Sequence, residues 1–144
     1  MSKIHAIRAI GFDSGHRVVN HESKCRTLHG HRYTCELYAT TKELDSLGRV
    51  IDFSILKSVI GNWIDEQWDH AMIIWNEDPD LELLQKCSGM KPVFVTDFNP
   101  TAENLANHLL TKVCPALLKD TDVKITKIRL WETPNCYVEA ELND

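Results

Sequence analysis

The sequence predicts an α+β protein in which an antiparallel four-stranded sheet packs against two helices, in the order β-β-α-α-β-β. Three stretches support this. Residues 29–40 are rich in aromatic and β-branched side chains, which favour a strand. Apolar residues between positions 53 and 64 recur at helical spacing. Two extended runs at residues 123–132 and 136–142 flank the turn Thr133-Pro134-Asn135, as in a β-hairpin.

In the first half of the chain, residues 3–12 alternate loosely and predict the first strand. Residues 17–28 form a polar loop, after which the strand at 29–40 returns antiparallel. A short extension of strand is expected at Val50-Ile51. Asp52 or Ser54 can then cap the first helix, since both side chains accept hydrogen bonds from free backbone N–H groups.

In the second half, the acidic segment 76–96 is expected to be a surface excursion with a short helix at residues 81–86 and an extended piece at 93–95. The stretch 76–96 as a whole is expected to contact none of the candidate site residues. Asn99-Pro100-Thr101 marks the start of the second helix, because proline favours the first helical turn. That helix continues to about Leu117, before the hairpin.

The length and composition limit the class of protein. The chain has 144 residues, so a single domain over residues 1–144 is expected. Its net charge is −5 and it has no long basic run, so nucleic acid is an unexpected partner. No apolar stretch is long enough for a membrane span, and the N-terminus does not resemble a signal peptide. With five cysteines and no CxxC pair, free thiols in the cytoplasm are predicted.

A metal site is indicated by His29 and His31. Residues two apart on a strand point to the same face, so these imidazoles can bind one ion. His16, at the end of the first strand, can supply a third ligand. Three protein ligands leave a tetrahedral position open, as in catalytic zinc sites. A single histidine is more often an ordinary surface or core residue, and His16 adds little unless the fold brings it close.

Cys25 differs from the other cysteines, which lie in apolar or helical runs and are expected to be buried. It stands in a polar loop between Lys24 and Arg26, and neighbouring cations favour the thiolate. That thiolate could act as a ligand or as a base.

Two further acidic positions have both an ordinary and a functional interpretation. Asp69-His70 could be a charge pair at a helix end, or a carboxylate that fixes the tautomer of a catalytic imidazole. Glu132 follows the apolar residues Ile128 and Leu130 on one strand face. It is therefore either solvated at the strand end or bound to a ligand rich in N–H donors.

Together, these residues resemble the 6-pyruvoyl-tetrahydropterin synthase superfamily, and most closely its bacterial 6-carboxy-tetrahydropterin synthase branch. The matching motifs run in family order: Phe12-Asp13-Ser14-Gly15-His16-Arg17, Cys25-x3-His29-Gly30-His31, Gly48-Arg49-Val50-Ile51-Asp52-Phe53, Trp68-Asp69-His70, Asn99-Pro100-Thr101-Ala102-Glu103-Asn104 and Trp131-Glu132-Thr133. The three-residue gap between Cys25 and His29 is similar to the carboxy branch.

The resemblance implies a T-fold (tunnelling fold) that assembles as a trimeric barrel, commonly stacked as a homohexamer, with sites between subunits. It implies Zn²⁺ bound by His16, His29 and His31. Cys25 would be the catalytic thiolate, and Asp69 with His70 a proton relay. Substrate binding would fall to Glu132, which anchors the pterin ring, and to Thr101 and Glu103.

The implied reaction converts 7,8-dihydroneopterin triphosphate to 6-carboxy-5,6,7,8-tetrahydropterin, with release of acetaldehyde and triphosphate, for queuosine and 7-deazaguanine biosynthesis. The alternative is 6-pyruvoyl-tetrahydropterin formation, which stops before the carbon–carbon bond is cleaved. A non-catalytic, zinc-dependent pterin-binding protein is a second class. From their proximity to the site, Arg17, Lys24 and Arg26 are expected to receive the triphosphate.

Overall fold

The computed structural model describes residues 2–143 and contains one six-stranded sheet with the order β4-β3-β1-β2-β5-β6. The strands are β1 (Ala6–His16), β2 (His29–Thr40), β3 (Met72–Trp75), β4 (Phe94–Thr96), β5 (Lys124–Thr133) and β6 (Cys136–Glu141). The α+β class is therefore confirmed.

The sheet differs from the predicted four antiparallel strands. β1, β2, β5 and β6 are antiparallel neighbours as expected, while β3 and β4 add a parallel edge beside β1. These two strands have only four and three residues, too few to show an alternating pattern. Ile73 and Ile74 are both fully buried, which is typical of a parallel strand covered on both faces.

Two long helices cover one face of the sheet. The first is α-helical over Phe53–Leu56, π-helical over Lys57–Gly61 and α-helical again over Asn62–Gln67. The second follows the same pattern over Ala102–His108, Leu109–Val113 and Cys114–Leu117. Asp52 caps the first helix by accepting a 2.9 Å hydrogen bond from the Ser54 N–H, so the predicted cap is confirmed. No strand forms at Val50-Ile51.

The hydrophobic core lies between these helices and the sheet. It includes the fully buried side chains Phe12, Leu37, Ile60, Leu105 and Ile128. Burial alternates along β1 and β2, so even-numbered residues of β1 and odd-numbered residues of β2 face the helices. His16, His29 and His31 belong to this set, which places them on the core face, at one end of the sheet.

The other elements are a 3-10 turn at Lys24–Arg26 and a short helix at Leu81–Cys87. All five cysteines are free thiols, as predicted. Cys35 and Cys114 are buried, whereas Cys87 and Cys136 are exposed, so the expectation of burial was wrong for the last two. Within residues 2–143, none of the helices is long and apolar enough to cross a bilayer.

Candidate active site

The register of β1 and β2 brings the three histidines together. β1 ends at His16 and β2 begins at His29, and these two residues are cross-strand partners. Ser14 pairs with His31, so His31 lies diagonally across from His16 on the same face. The three ring centroids are 4.6, 4.8 and 5.1 Å apart. One ligand atom from each ring lies within 4.8 Å of the others.

Backbone carbonyls fix the tautomers of two of these rings. His16 Nδ1 lies 2.7 Å from the Pro100 oxygen, and His29 Nδ1 lies 2.6 Å from the Thr27 oxygen. A carbonyl oxygen only accepts hydrogen bonds, so each Nδ1 must carry the proton. Each Nε2 then presents a lone pair, which is the form that binds a metal ion.

The remaining ring nitrogens fit a cation. His16 Nε2 and His29 Nε2 face each other at 3.1 Å with two lone pairs, an arrangement that is repulsive unless a cation lies between them. His31 Nε2 is buried and has no hydrogen-bond partner. Two nitrogens bound to tetrahedral zinc at about 2.0–2.1 Å would be about 3.4 Å apart, close to the observed spacing. The three histidines can therefore hold a metal ion.

Burial favours the neutral form of His16 and His31. Desolvation lowers the pKa of His16 to about 4, with a smaller contribution from His29 and His31, against the opposing hydrogen bond to Pro100. Desolvation also lowers the pKa of His31, against the opposing charge of Glu132. Because a protonated imidazole cannot bind a metal ion, these shifts favour binding at neutral pH.

Glu132 lies beside the imidazoles. Its carboxylate oxygens are 3.9 Å from His16 Nε2 and 4.0 Å from His31 Nε2. The side chain is 29% exposed, so the residues around it shield the carboxylate from solvent only in part. This acceptor therefore borders the metal centre.

Cys25 lies in the 3-10 turn, and its carbonyl oxygen accepts a 2.8 Å hydrogen bond from the Val18 N–H. The turn is thus folded against the end of β1, two residues beyond His16. The thiol is half-buried and does not belong to the three-residue ligand group.

Asp69 and His70 form the predicted pair, with Asp69 Oδ2 2.9 Å from His70 Nδ1. Adjacent residues can meet in this way because His70 has a left-handed backbone with φ of 60°. The backbone of Asp13 fixes the pair, since its N–H donates to Asp69 and its oxygen accepts from the His70 N–H. Burial raises the pKa of Asp69, but the bonds from Asp13 and His70 outweigh it and hold the pKa low.

Within residues 2–143, the pair is not part of the three-histidine ligand group. The His70 side chain is 74% exposed, and it lines a cavity of about 400 Å³ together with His31, Asp13 and Arg32. Among the described residues, its ring makes no aromatic contact with the three metal-site histidines. His70 therefore presents its imidazole outward.

Thr101 and Glu103 lie at the start of the second long helix. Thr101 is its N-cap and accepts a 3.2 Å hydrogen bond from the Asn104 N–H. Glu103 is exposed in the first turn. The preceding Pro100 carbonyl orients His16, so this segment and the metal centre are directly connected.

Two expectations about the surroundings were wrong. Arg17 donates to the carboxylates of Asp78 and Asp80, so its guanidinium is occupied and a poor triphosphate receptor. Segment 76–96 also reaches the site, because Leu84 and Cys87 line a cavity of about 370 Å³ together with His29. The helix predicted within it is observed at Leu81–Cys87, while its end forms the edge strand β4.

Two residues near the site were missed at the sequence level. Asn99 bridges 80 residues of sequence, since its amide accepts from the Val19 N–H and donates to the Val19 oxygen, both at 3.0 Å. Tyr33 packs against the rings of His16 and His31. The pattern around Asn99 indicates only a helix start and that around Tyr33 only a strand, so neither contact had a signal in the sequence.

Comparisons with known proteins agree with this geometry. The family model described as 6-pyruvoyl tetrahydropterin synthase matches residues 6–143. A Rickettsia conorii protein named 6-carboxy-5,6,7,8-tetrahydropterin synthase is 42% identical over 138 residues, covering 95% of this chain and 99% of the relative. A Haemophilus influenzae protein of the same name is 34% identical and covers 93% of this chain and 96% of the relative.

Solved structures share the fold. An uncharacterised protein from Wolinella succinogenes superposes with a TM-score of 0.84 at 23% identity, covering 99% of this chain and 100% of that one. A catalytic-residue mutant of the Plasmodium vivax 6-pyruvoyltetrahydropterin synthase superposes with a TM-score of 0.75 at 19% identity, covering 100% of both chains. The predicted T-fold is thereby confirmed. The chain belongs to the 6-pyruvoyl tetrahydropterin synthase family.

Proposed function

We propose that this chain is a zinc-dependent lyase that converts 7,8-dihydroneopterin triphosphate to 6-carboxy-5,6,7,8-tetrahydropterin, releasing acetaldehyde and triphosphate. The observation that carries the proposal is the three-imidazole centre, in which backbone carbonyls leave the Nε2 lone pairs of His16 and His29 facing each other at 3.1 Å. The names of the Rickettsia and Haemophilus relatives support the choice of product.

Zn²⁺ would be held by His16, His29 and His31, with one position left for substrate. When bound, it supplies a Lewis acid that stabilises negative charge on the oxygens of the substrate side chain. The protein supplies the proton transfers. A carbon-bound proton is weakly acidic, so a base must be positioned for each transfer.

Cys25 would act as thiolate base on one side of the substrate, and His70 on the other. Asp69 accepts from His70 Nδ1–H and so leaves His70 Nε2 free to exchange a proton. Triphosphate then departs by elimination, and cleavage of the carbon–carbon bond gives acetaldehyde. Lys24 and Arg26 flank Cys25 and are the proposed triphosphate contacts.

Glu132, Thr101 and Glu103 are the proposed substrate-binding residues. A carboxylate that accepts from the amino and ring N–H groups of a pterin makes charge-assisted hydrogen bonds, which are the stronger kind. Because Glu132 lies within 4.0 Å of two imidazoles, the donors it accepts from would be close to the metal. Glu103 is exposed and would accept hydrogen bonds from substrate atoms that lie farther from the metal.

We also propose that the chain is a single domain over residues 1–144, that it works in the cytoplasm, and that it forms a trimer-based homohexamer with active sites between subunits. The outward position of His70 supports this assembly, because a relay residue that is 74% exposed can serve a neighbouring subunit's metal centre. Exposed apolar side chains at Leu44, Leu47, Phe53 and Ile55 supply surface suited to subunit contacts. Mass measurement under native conditions tests the assembly.

A product assay tests the reaction. Zinc-loaded protein incubated with 7,8-dihydroneopterin triphosphate should release acetaldehyde in equal amount to 6-carboxy-5,6,7,8-tetrahydropterin. The Cys25→Ala variant should retain zinc and lose turnover, whereas Cys136→Ala, at an exposed thiol in the hairpin, should keep both. Turnover in the Cys25 variant would contradict the thiolate role.

The second candidate is 6-pyruvoyl-tetrahydropterin synthase. It is favoured by the family model and by the structural similarity to the Plasmodium vivax enzyme. In the same assay, triphosphate release without acetaldehyde would establish this alternative. Zinc and pterin binding with neither product would instead indicate a non-catalytic pterin-binding protein.

A further inference from the structure

Tyr33 is a buried polar side chain that the proposed reaction does not use. It follows His31 by two residues on β2 and so faces the core side with the metal ligands. The residue is 0% exposed, and its hydroxyl oxygen is buried without a hydrogen-bond partner. Buried hydroxyl groups are nearly always hydrogen-bonded. We therefore expect the Tyr33 hydroxyl to gain a hydrogen-bond partner when the site binds its metal ion.

The ring of Tyr33 is held in one place. It stacks on Phe12 with centroids 4.9 Å apart and an interplanar angle of 8°. The rings of His16 and His31 lie edge-on to it, at 6.1 and 5.5 Å. A ring packed on these sides cannot swing away, so its hydroxyl stays next to the metal centre.

Glu132 is the candidate acceptor. Its carboxylate lies 4.0 Å from His31 Nε2, and the ring centroid of His31 lies 5.5 Å from that of Tyr33. Burial, together with the negative charge of Glu132, raises the pKa of the Tyr33 hydroxyl. A neutral hydroxyl can only donate toward a carboxylate.

Glu132 has no fixed hydrogen-bond donor within the metal centre. Its oxygens are 3.9 and 4.0 Å from His16 Nε2 and His31 Nε2, too far for hydrogen bonds. Nitrogens that bind a metal ion carry no proton to share with a carboxylate. The loaded site would therefore contain a hydroxyl without an acceptor and, near the same two imidazoles, a carboxylate without a fixed donor.

We propose that Tyr33 is a positioning residue whose hydroxyl donates a hydrogen bond to the Glu132 carboxylate when the three-histidine centre holds its metal ion. The bond would fix the orientation of Glu132. The consequence for turnover rests on the proposed function, whereas the hydrogen bond itself does not.

The variant Tyr33→Phe removes only the oxygen atom and keeps the stacked ring. Tyr38→Phe is the matched control, since Tyr38 lies on the same strand but on the opposite face, beside Lys127.

The first measurement is the melting temperature of each protein before and after zinc loading. We expect Tyr33→Phe to melt no lower than the parent without zinc, because its hydroxyl is unpaired there. Its gain on zinc loading should be about 2–4 °C smaller than that of the parent, and Tyr38→Phe should keep the full gain.

A double variant identifies the acceptor. In a Glu132→Ala background, Tyr33→Phe should leave the zinc-induced gain unchanged, because the bond has already been removed. Equal gains in Tyr33→Phe and the parent, or the same loss with and without Glu132, would overturn the proposal.

Turnover provides a separate measurement. In an active enzyme, Tyr33→Phe should lower kcat about 10-fold while zinc affinity and the KM for the pterin substrate stay within about threefold of the parent, since Glu132 would still accept from the substrate but in a less fixed orientation. An unchanged kcat would contradict the positioning role. If the parent protein forms no product, the proposed reaction fails, while the melting experiment still decides the hydrogen bond.

Discussion

Asp78 is a buried carboxylate in a loop, and we expect the stability of the protein to depend on it. It is 5% exposed and accepts hydrogen bonds from the Arg17 guanidinium and from the Asp80 N–H. The Arg17 side chain is itself only 17% exposed. Removing the buried charge of Asp78 leaves the Arg17 guanidinium with only the exposed carboxylate of Asp80, which is expected to cost about 3 kcal/mol. The variant Asp78→Asn keeps the size of the side chain and removes this charge.

Asp80 is the matched control. It also contacts Arg17, at 2.7 Å, but its side chain is 51% exposed. Exposed ion pairs contribute only about 0–1 kcal/mol, because water solvates both charges. Asp78→Asn should therefore lower the free energy of unfolding by about 3 kcal/mol, or the melting temperature by roughly 10 °C, and Asp80→Asn by under a third of that. Urea and thermal denaturation at pH 7 measure both, and equal losses in the two variants would refute the reasoning.

The pH dependence gives a second check on the same pair. Hydrogen bonding to Arg17, with a further bond from the Asp80 N–H, lowers the pKa of Asp78 against the opposing effect of burial. A carboxyl whose pKa is lower in the folded state contributes stability above its unfolded pKa of about 3.9, and that contribution is lost as pH falls through the folded value. The stability difference between the parent and Asp78→Asn should thus be constant from pH 6 to 8 and shrink below about pH 4.

Three further outcomes are expected at the site. Asp69→Asn should lower kcat about 100-fold with zinc content unchanged, because His70 loses the carboxylate that fixes its tautomer; steady-state kinetics and metal analysis measure this, and full activity would contradict the relay. Asn99→Ala should lower the free energy of unfolding by about 1–2 kcal/mol, since both hydrogen bonds to Val19 are lost. A denaturation midpoint equal to that of the parent would show that these bonds do not stabilise the fold. His29→Ala should weaken zinc binding at least about 100-fold in competition with a chelator; unaltered affinity would rule out the three-histidine centre.

Local features of the fold were predictable from sequence because they depend on neighbouring residues. β2 was predicted at its observed bounds, since aromatic and β-branched residues fill it. The Asp52 cap and the hairpin turn at residues 134–135 follow from side chains that satisfy nearby backbone groups. β3 was missed, and β4 was predicted only as an extended piece at residues 93–95 and not as part of the sheet, because a parallel strand of three or four residues has no periodic pattern.

The three histidines that can hold a metal ion were also predictable, through the spacing of His29 and His31 and the family motifs. The tautomers of His16 and His29 were not predictable. The carbonyls of Pro100 and Thr27 that fix the two tautomers are ordinary backbone atoms, and every residue type offers the same group. Likewise, Arg17 looked like a triphosphate contact until the fold placed Asp78 against it.

By itself, the sequence determined the α+β class, the three histidines that can hold a metal ion and the Asp69-His70 pair, because hydrophobic pattern and short motifs act over a few residues. Only the tertiary structure decided the six-stranded mixed sheet, the hydrogen bonds between Asn99 and Val19, the outward position of His70 and the burial of the Tyr33 hydroxyl. The reason is that each of these depends on strand register or on contacts between residues far apart in the chain, and no local pattern encodes such distances.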